Sequence, residues 1–174
     1  ALVLMDEPLS NLDARLRQEV RANIKKLAVQ IGMTVLYVTH DQIEAMVLAD
    51  RIAVMAHGEI LQMGKPAELY RQPASALVAE FFGSINWIRG TAHGNNRVET
   101  ELGPLWVADS LHCHGAVIVG VRPEDVHLQR SSNENENRRE GKVRSSVFLG
   151  DQIVSEIEVR GKILIAKGSP DDGE

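Results

Sequence analysis

Two hydrophobic rhythms divide the 174 residues. Ahead of Gly83, apolar positions form short continuous runs or recur at helical spacing; from about Ile85 they alternate with polar ones. The opening run Ala1-Leu2-Val3-Leu4-Met5 is apolar throughout, which predicts a strand covered on both faces of a parallel sheet. Asp13 predicts the cap of a helix running to about Ile31, with Gly32 at its end. Within it, Leu16, Val20, Ile24, Leu27 and Ile31 make one apolar stripe, while Arg15, Arg17, Arg21, Lys25 and Lys26 read as a solvated basic face. Met33 to Thr39 is a second apolar, β-branched strand. Strand, helix and strand in that order predict a right-handed crossover between parallel strands. Asp41 predicts the cap of a short helix through Ala49, and His57-Gly58 a tight hairpin turn between Ile52 to Met55 and Ile60 to Met63. Short helices are expected from Pro66 to Arg71 and from Ser75 to Phe82.

The second rhythm gives short strands at Asn86 to Ala92, Arg97 to Thr100, Leu105 to Ala108, Ala116 to Val121, Val143 to Leu149, Ile153 to Val159 and Ile163 to Lys167. Gly, Asn, Pro and Asp punctuate them about every ten residues, the pattern of a small β-barrel or sandwich. Trp87 and Trp106 are expected in its core, and the polar stretch Gln129 to Lys142 reads as a mobile loop. The expected architecture is therefore α/β over residues 1–84, followed by an all-β domain over 85–174.

Asp6 and Glu7 close the first strand, ahead of Pro8-Leu9-Ser10-Asn11-Leu12-Asp13. In parallel sheets the ligand site lies beyond the carboxyl ends of the strands. Neighbouring strand side chains point to opposite sides, so one carboxylate can face a metal ion and the other a water. That division suits Mg²⁺-assisted phosphoryl transfer. His40-Asp41 ends the second strand of the same crossover.

These segments resemble the ATP-binding subunits of ABC transporters. Residues 1–13 are similar to that family's Walker B strand and D-loop, and Tyr37-Val38-Thr39-His40-Asp41-Gln42-Ile43-Glu44-Ala45-Met46 to its switch-histidine segment. The β half resembles the OB-like, transport-associated domain of importer ATPases, on Gly120-Val121-Arg122-Pro123-Glu124-Asp125-Val126 and Val147-Phe148-Leu149-Gly150-Asp151. The resemblance implies a partial P-loop NTPase domain and an OB-like barrel. It also implies catalytic roles for Glu7, on the attacking water, and for His40, on the γ-phosphate. Asp6 would hold Mg²⁺ through water, and Ser10, Leu12 and Asp13 would line a nucleotide site shared with a second copy of the subunit. ATP and Mg²⁺ would be the cofactors, permease subunits the further partners, and the cytoplasmic face of the inner membrane the location. Arg122 and Glu124 could bind a regulatory ligand or simply form a strand-end turn.

No G-x-x-x-x-G-K-[ST] loop and no Leu-Ser-Gly-Gly-Gln-type signature occurs in the chain. In the family both precede the Walker B strand. The chain is therefore expected to be the C-terminal part of a longer importer ATPase, inactive alone and prone to self-associate. A non-catalytic dimerisation and ligand-sensing module is the alternative. A net charge of -5 and an aromatic content of 4% argue against nucleic acid as a partner. No segment approaches the run of about 18 apolar residues that spans a bilayer. One cysteine, Cys113, excludes an internal disulfide, and His112, Cys113 and His114 lack the spacing of a zinc site.

Overall fold

The computed structural model describes residues 2–107, 113–129 and 137–170, in two compact units that divide between Gly83 and Ser84. In the first unit, β1 (Leu2–Asp6) and β2 (Thr34–Val38) pair in parallel, Leu4 opposite Leu36 and Asp6 opposite Val38. Helix α1 (Ala14–Ile31) connects them. Asp13 Oδ1 accepts from the backbone N–H groups of Arg15 and Leu16 at 3.1 and 3.0 Å. Gly32 closes the helix at φ 62°, a left-handed conformation that suits a residue without a Cβ. Helix α2 (Gln42–Leu48) follows, capped by Asp41. The hairpin β3 (Ile52–Ala56) and β4 (Glu59–Gly64) turns at His57 and Gly58, both at positive φ. Helices α3 (Pro66–Arg71) and α4 (Ala76–Phe81) complete the unit.

The core of this unit lies under the hairpin. Ile52, Val54, Leu69, Val78 and Phe82 form it, with Ala45, Met46 and Leu61 packed alongside. Two expectations fail here. β1 is not covered on both faces, since Leu2 and Leu4 are exposed, as are Leu36 and Val38 of β2. No residue of α1 is buried, and Leu16, Leu27 and Ile31 of its apolar stripe face outward. Its half-buried positions include Val20 and Ile24 of the stripe together with the basic Arg17, Arg21 and Lys25. Each of the three basic side chains reaches an acceptor that an apolar side chain could not use. Lys25 Nζ donates to the Val47 and Leu48 carbonyls at 2.7 and 3.2 Å, at the C-terminal end of α2. Arg17 and Arg21 turn toward Asp41.

The second unit holds two antiparallel sheets. One has the order β7 (Gly103–Trp106), β6 (Arg97–Thr100), β5 (Asn86–His93), β8 (His114–Val121). The other has the order β11 (Lys162–Gly168), β10 (Ile153–Val159), β9 (Lys142–Phe148). Among the described residues the strands therefore form two sheets and not one closed ring. Their shared core contains Ile88, Leu102, Ile157, Val159, Leu164 and Ala166. Asn86 ties one sheet to the other. Its Nδ2 donates to the Ile165 carbonyl at 2.8 Å, and its Oδ1 accepts from the Ile165 N–H at 2.7 Å.

The tryptophans are only half-buried and stand outside this core, because each occupies the face of its strand opposite to it. Trp87 lies over Gly120, where a Cβ would come within 2.7 Å of the indole. Trp106 carries the Arg97 guanidinium above its ring, 5.8 Å from the centroid. Part of the expected mobile loop, residues 130–136, lies outside the described residues, as do Ala108 and His112. The loop's far end is tied down. Asn137 Nδ2 donates to the Trp106 carbonyl at 2.7 Å, Asn137 Oδ1 accepts from the Trp106 N–H at 2.6 Å, and Arg139 Nε donates to the Leu102 carbonyl at 2.8 Å.

Candidate functional site

The carboxyl ends of β1 and β2 lie side by side because the two strands are parallel and in register. The chain leaves each end by a different device. Glu7 extends the ladder by one bond, its N–H donating to the Val38 carbonyl at 2.9 Å, and then turns at φ 42°. A glutamate in this left-handed region carries a strain of about 1–3 kcal/mol. The Ser10 hydroxyl stabilises the turn by donating to the Glu7 carbonyl at 3.0 Å. After β2, the Asp41 N–H donates to Thr39 Oγ1 at 3.0 Å, and Asp41 Oδ1 caps α2 through the N–H groups of Ile43 and Glu44.

These two turns bring Glu7 and His40 together, with His40 Nδ1 3.0 Å from Glu7 Oε1. The hydrogen bond to Glu7, aided by its charge, raises the imidazole pKa above the ordinary histidine value. Both side chains remain open to solvent, 74% and 45% exposed, so a ligand can reach them without rearrangement of the fold. Glu7, Ser10, Arg17, Thr39, His40, Asp41 and Glu44 surround a small cavity of about 30 Å³.

Asp6 is exposed at the end of β1 and does not line that cavity. Among the described residues no group of three or more His, Cys, Asp or Glu could hold a metal. An exposed lone carboxylate fits Mg²⁺, which commonly takes one or two protein carboxylates and fills its shell with phosphate oxygens and water. Leu12 is half-buried, and its carbonyl accepts from Arg17 at 2.9 Å. Asp13 is engaged in capping α1.

Sequence reasoning missed the polar layer beneath His40. Glu44 is 3% exposed, and its Oε2 accepts from Tyr37 Oη at 3.0 Å and Thr39 Oγ1 at 2.8 Å. Burial, with the Glu44 bond and charge, holds the Tyr37 phenol well above its ordinary pKa. Asp41 Oδ2 faces Arg17 at 3.5 Å and Arg21 at 3.8 Å. The available signal was an acid in the first turn of a helix otherwise set by Ile43, Ala45 and Met46.

In the second unit, Arg122 is buried and burial lowers its pKa, while Pro123–Asp125 form a 3₁₀ turn. Glu124 lines an open groove of about 550 Å³ with His127, Asp151, Gln152 and Lys167; Arg122 is not among its lining residues.

Residues 119–174 match the TOBE domain model. The chain is 41% identical to an uncharacterized ABC transporter ATP-binding protein, YcjV, of Escherichia coli O6:H1, across 94% of this chain and 47% of the relative. The chain belongs to the ATP-binding proteins of ABC transporters. The Fe(3+) ions import ATP-binding protein FbpC of Fusobacterium nucleatum is 39% identical over 98% of this chain and 47% of its own length. The sn-glycerol-3-phosphate import ATP-binding protein UgpC of Vibrio vulnificus is 48% identical over 74% of this chain and 35% of its own length. The chain thus spans about half the length of the curated relatives it matches. Among the described residues no helix is long and apolar enough to cross a membrane.

Proposed function

We propose that the chain is the C-terminal portion of the ATP-hydrolysing subunit of an ABC importer. On this reading residues 1–84 are part of a P-loop ATPase domain and 85–174 its regulatory TOBE domain. The observation that carries it is the 3.0 Å contact between Glu7 and His40, at the adjoining carboxyl ends of two parallel strands. Glu7 orients the attacking water, and His40 donates a hydrogen bond to the terminal phosphate as its charge develops. Asp6 is the residue that would hold Mg²⁺, which supplies charge neutralisation at the phosphates when bound. Ser10, Leu12 and Asp13 face a second copy of the subunit. Permease subunits are the membrane partners, and the assembly sits on the cytoplasmic face.

Phosphate-cradling amides and a lysine provide most of the triphosphate's binding in P-loop enzymes, and this sequence carries no such loop. The chain alone therefore neither binds ATP tightly nor hydrolyses it. The test places the phosphate-loop half of YcjV ahead of Ala1 and follows Mg-ATP hydrolysis. Activity in the fusion, none in the chain alone, and loss of activity with Glu7→Gln are expected. Turnover by the chain alone, or a fusion indifferent to Glu7→Gln, would overturn the assignment. A second reading, a non-catalytic dimerisation and ligand-sensing module, draws support from the groove beside Glu124.

A further inference from the structure

We infer that Glu44 is the positioning residue for His40: its buried carboxylate fixes the turn that presents the imidazole to Glu7. The inference rests on the proposed phosphate-contacting role of His40 only for its catalytic consequence. The geometry is local to one turn. Thr39 and Asp41 flank His40, and both are tied to Glu44. The Thr39 hydroxyl accepts from the Asp41 N–H at 3.0 Å, so its own proton is available to Glu44 Oε2, which it reaches at 2.8 Å. The same oxygen accepts from Tyr37 Oη at 3.0 Å, from the preceding strand. Asp41 in turn accepts from the Glu44 N–H at 3.1 Å.

His40 is thus the exposed middle of a turn whose neighbours are both tied to Glu44, Thr39 through the buried carboxylate and Asp41 through the Glu44 N–H. A carboxylate 3% exposed is costly unless hydrogen-bonded, and here its bonds reach β2 through Tyr37 and the turn through Thr39. Without it, Thr39 loses the acceptor for its proton and the half-buried Tyr37 loses the partner of its hydroxyl. The backbone at 39–41 is then free to move, and the 3.0 Å contact of His40 with Glu7 loosens.

The experiment is a side-chain ¹⁵N spectrum of the histidines at one fixed pH, with no nucleotide present. Glu7→Ala defines the signal of a His40 Nδ1 that has lost its partner. Glu44→Ala and Thr39→Val are expected to move the His40 signal most of the way to that position, leaving His57, His93 and His127 unmoved. Glu44→Gln keeps an acceptor oxygen and is expected to restore the wild-type signal. A His40 signal unchanged in both Glu44→Ala and Thr39→Val would overturn the inference, as would movement of all histidines together. If Glu44→Ala does not fold, Thr39→Val decides alone. Because no ATP is involved, failure here is distinct from failure of the importer-ATPase reading, which the fusion assay addresses.

Discussion

Replacing Asn86 by alanine tests how the second unit is held together. The side chain is 6% exposed and makes two hydrogen bonds to one residue, Ile165, on the other sheet. Alanine removes both and strands the Ile165 N–H and carbonyl inside the unit. Each neutral hydrogen bond contributes about 1 kcal/mol net, and a stranded buried group costs about 1–3 kcal/mol. Partial relaxation toward water places the total at about 2–4 kcal/mol. For a domain of this size that corresponds to a fall in Tm of roughly 10–20 °C. Both tryptophans, Trp87 and Trp106, lie in this unit, so urea unfolding followed by tryptophan fluorescence reports on it specifically. A loss below about 1 kcal/mol would refute the reasoning, since it would mean that water satisfies Ile165 as well as Asn86 does. Asn86→Asp refines the test. It keeps the acceptor for the Ile165 N–H but sets a second oxygen against the Ile165 carbonyl. Burial raises the folded-state pKa of the new carboxyl. The protonated form is therefore favoured by folding, and the loss of stability relative to the unmodified protein is smaller at pH 4 than at pH 7.

His40 should titrate above the free-histidine value because Glu7 accepts its hydrogen bond. Its contribution to stability is fully present below the unfolded pKa and fades as pH rises through the folded one; Glu7→Gln should lower the NMR midpoint, and an unmoved midpoint would contradict the pairing. Lys25→Met should destabilise the first unit by about 1–2 kcal/mol in thermal unfolding, by removing the cation that caps the Val47 and Leu48 carbonyls. Leu69→Ala, at a fully buried position, should cost about 2–5 kcal/mol in the same assay. Leu2, Leu4, Leu36 and Val38 stand exposed on the β1–β2 pair. Sedimentation at micromolar concentration should accordingly show self-association, reversed by Leu4→Lys with Leu36→Lys; a monodisperse monomer would contradict it.

Local grammar was legible in the sequence where a single residue decides the backbone. Asp13, Gly32, Asp41 and the His57-Gly58 pair mark their caps and turn because capping and left-handed φ depend on a residue and its nearest neighbours. The parallel pairing of β1 and β2 followed from the strand–helix–strand order. What could not be read was which face of α1 turns inward. The apolar stripe there is clear, yet Arg17, Arg21 and Lys25 share the inner side with Val20 and Ile24, because their partners (Asp41 and the end of α2) lie 20 or more residues away in the chain. The tryptophans failed for a related reason. A period of two specifies that Trp87 and Ile88 face opposite ways but not which of them meets the second sheet. That Glu7 and His40 meet at adjoining strand ends could be read from the sequence. The layer of Tyr37, Thr39 and Glu44 beneath them could not, since a tyrosine in a strand and a glutamate in a helix carry no mark of sharing one oxygen.

The most direct measurement is single-turnover ATP hydrolysis by the complete subunit with Glu7→Gln, compared with the unmodified protein at saturating Mg-ATP. ATP is expected still to bind, while hydrolysis falls by about a hundredfold or more. Hydrolysis within a few-fold of the unmodified rate would contradict the assignment of Glu7, and with it the site built on its contact with His40.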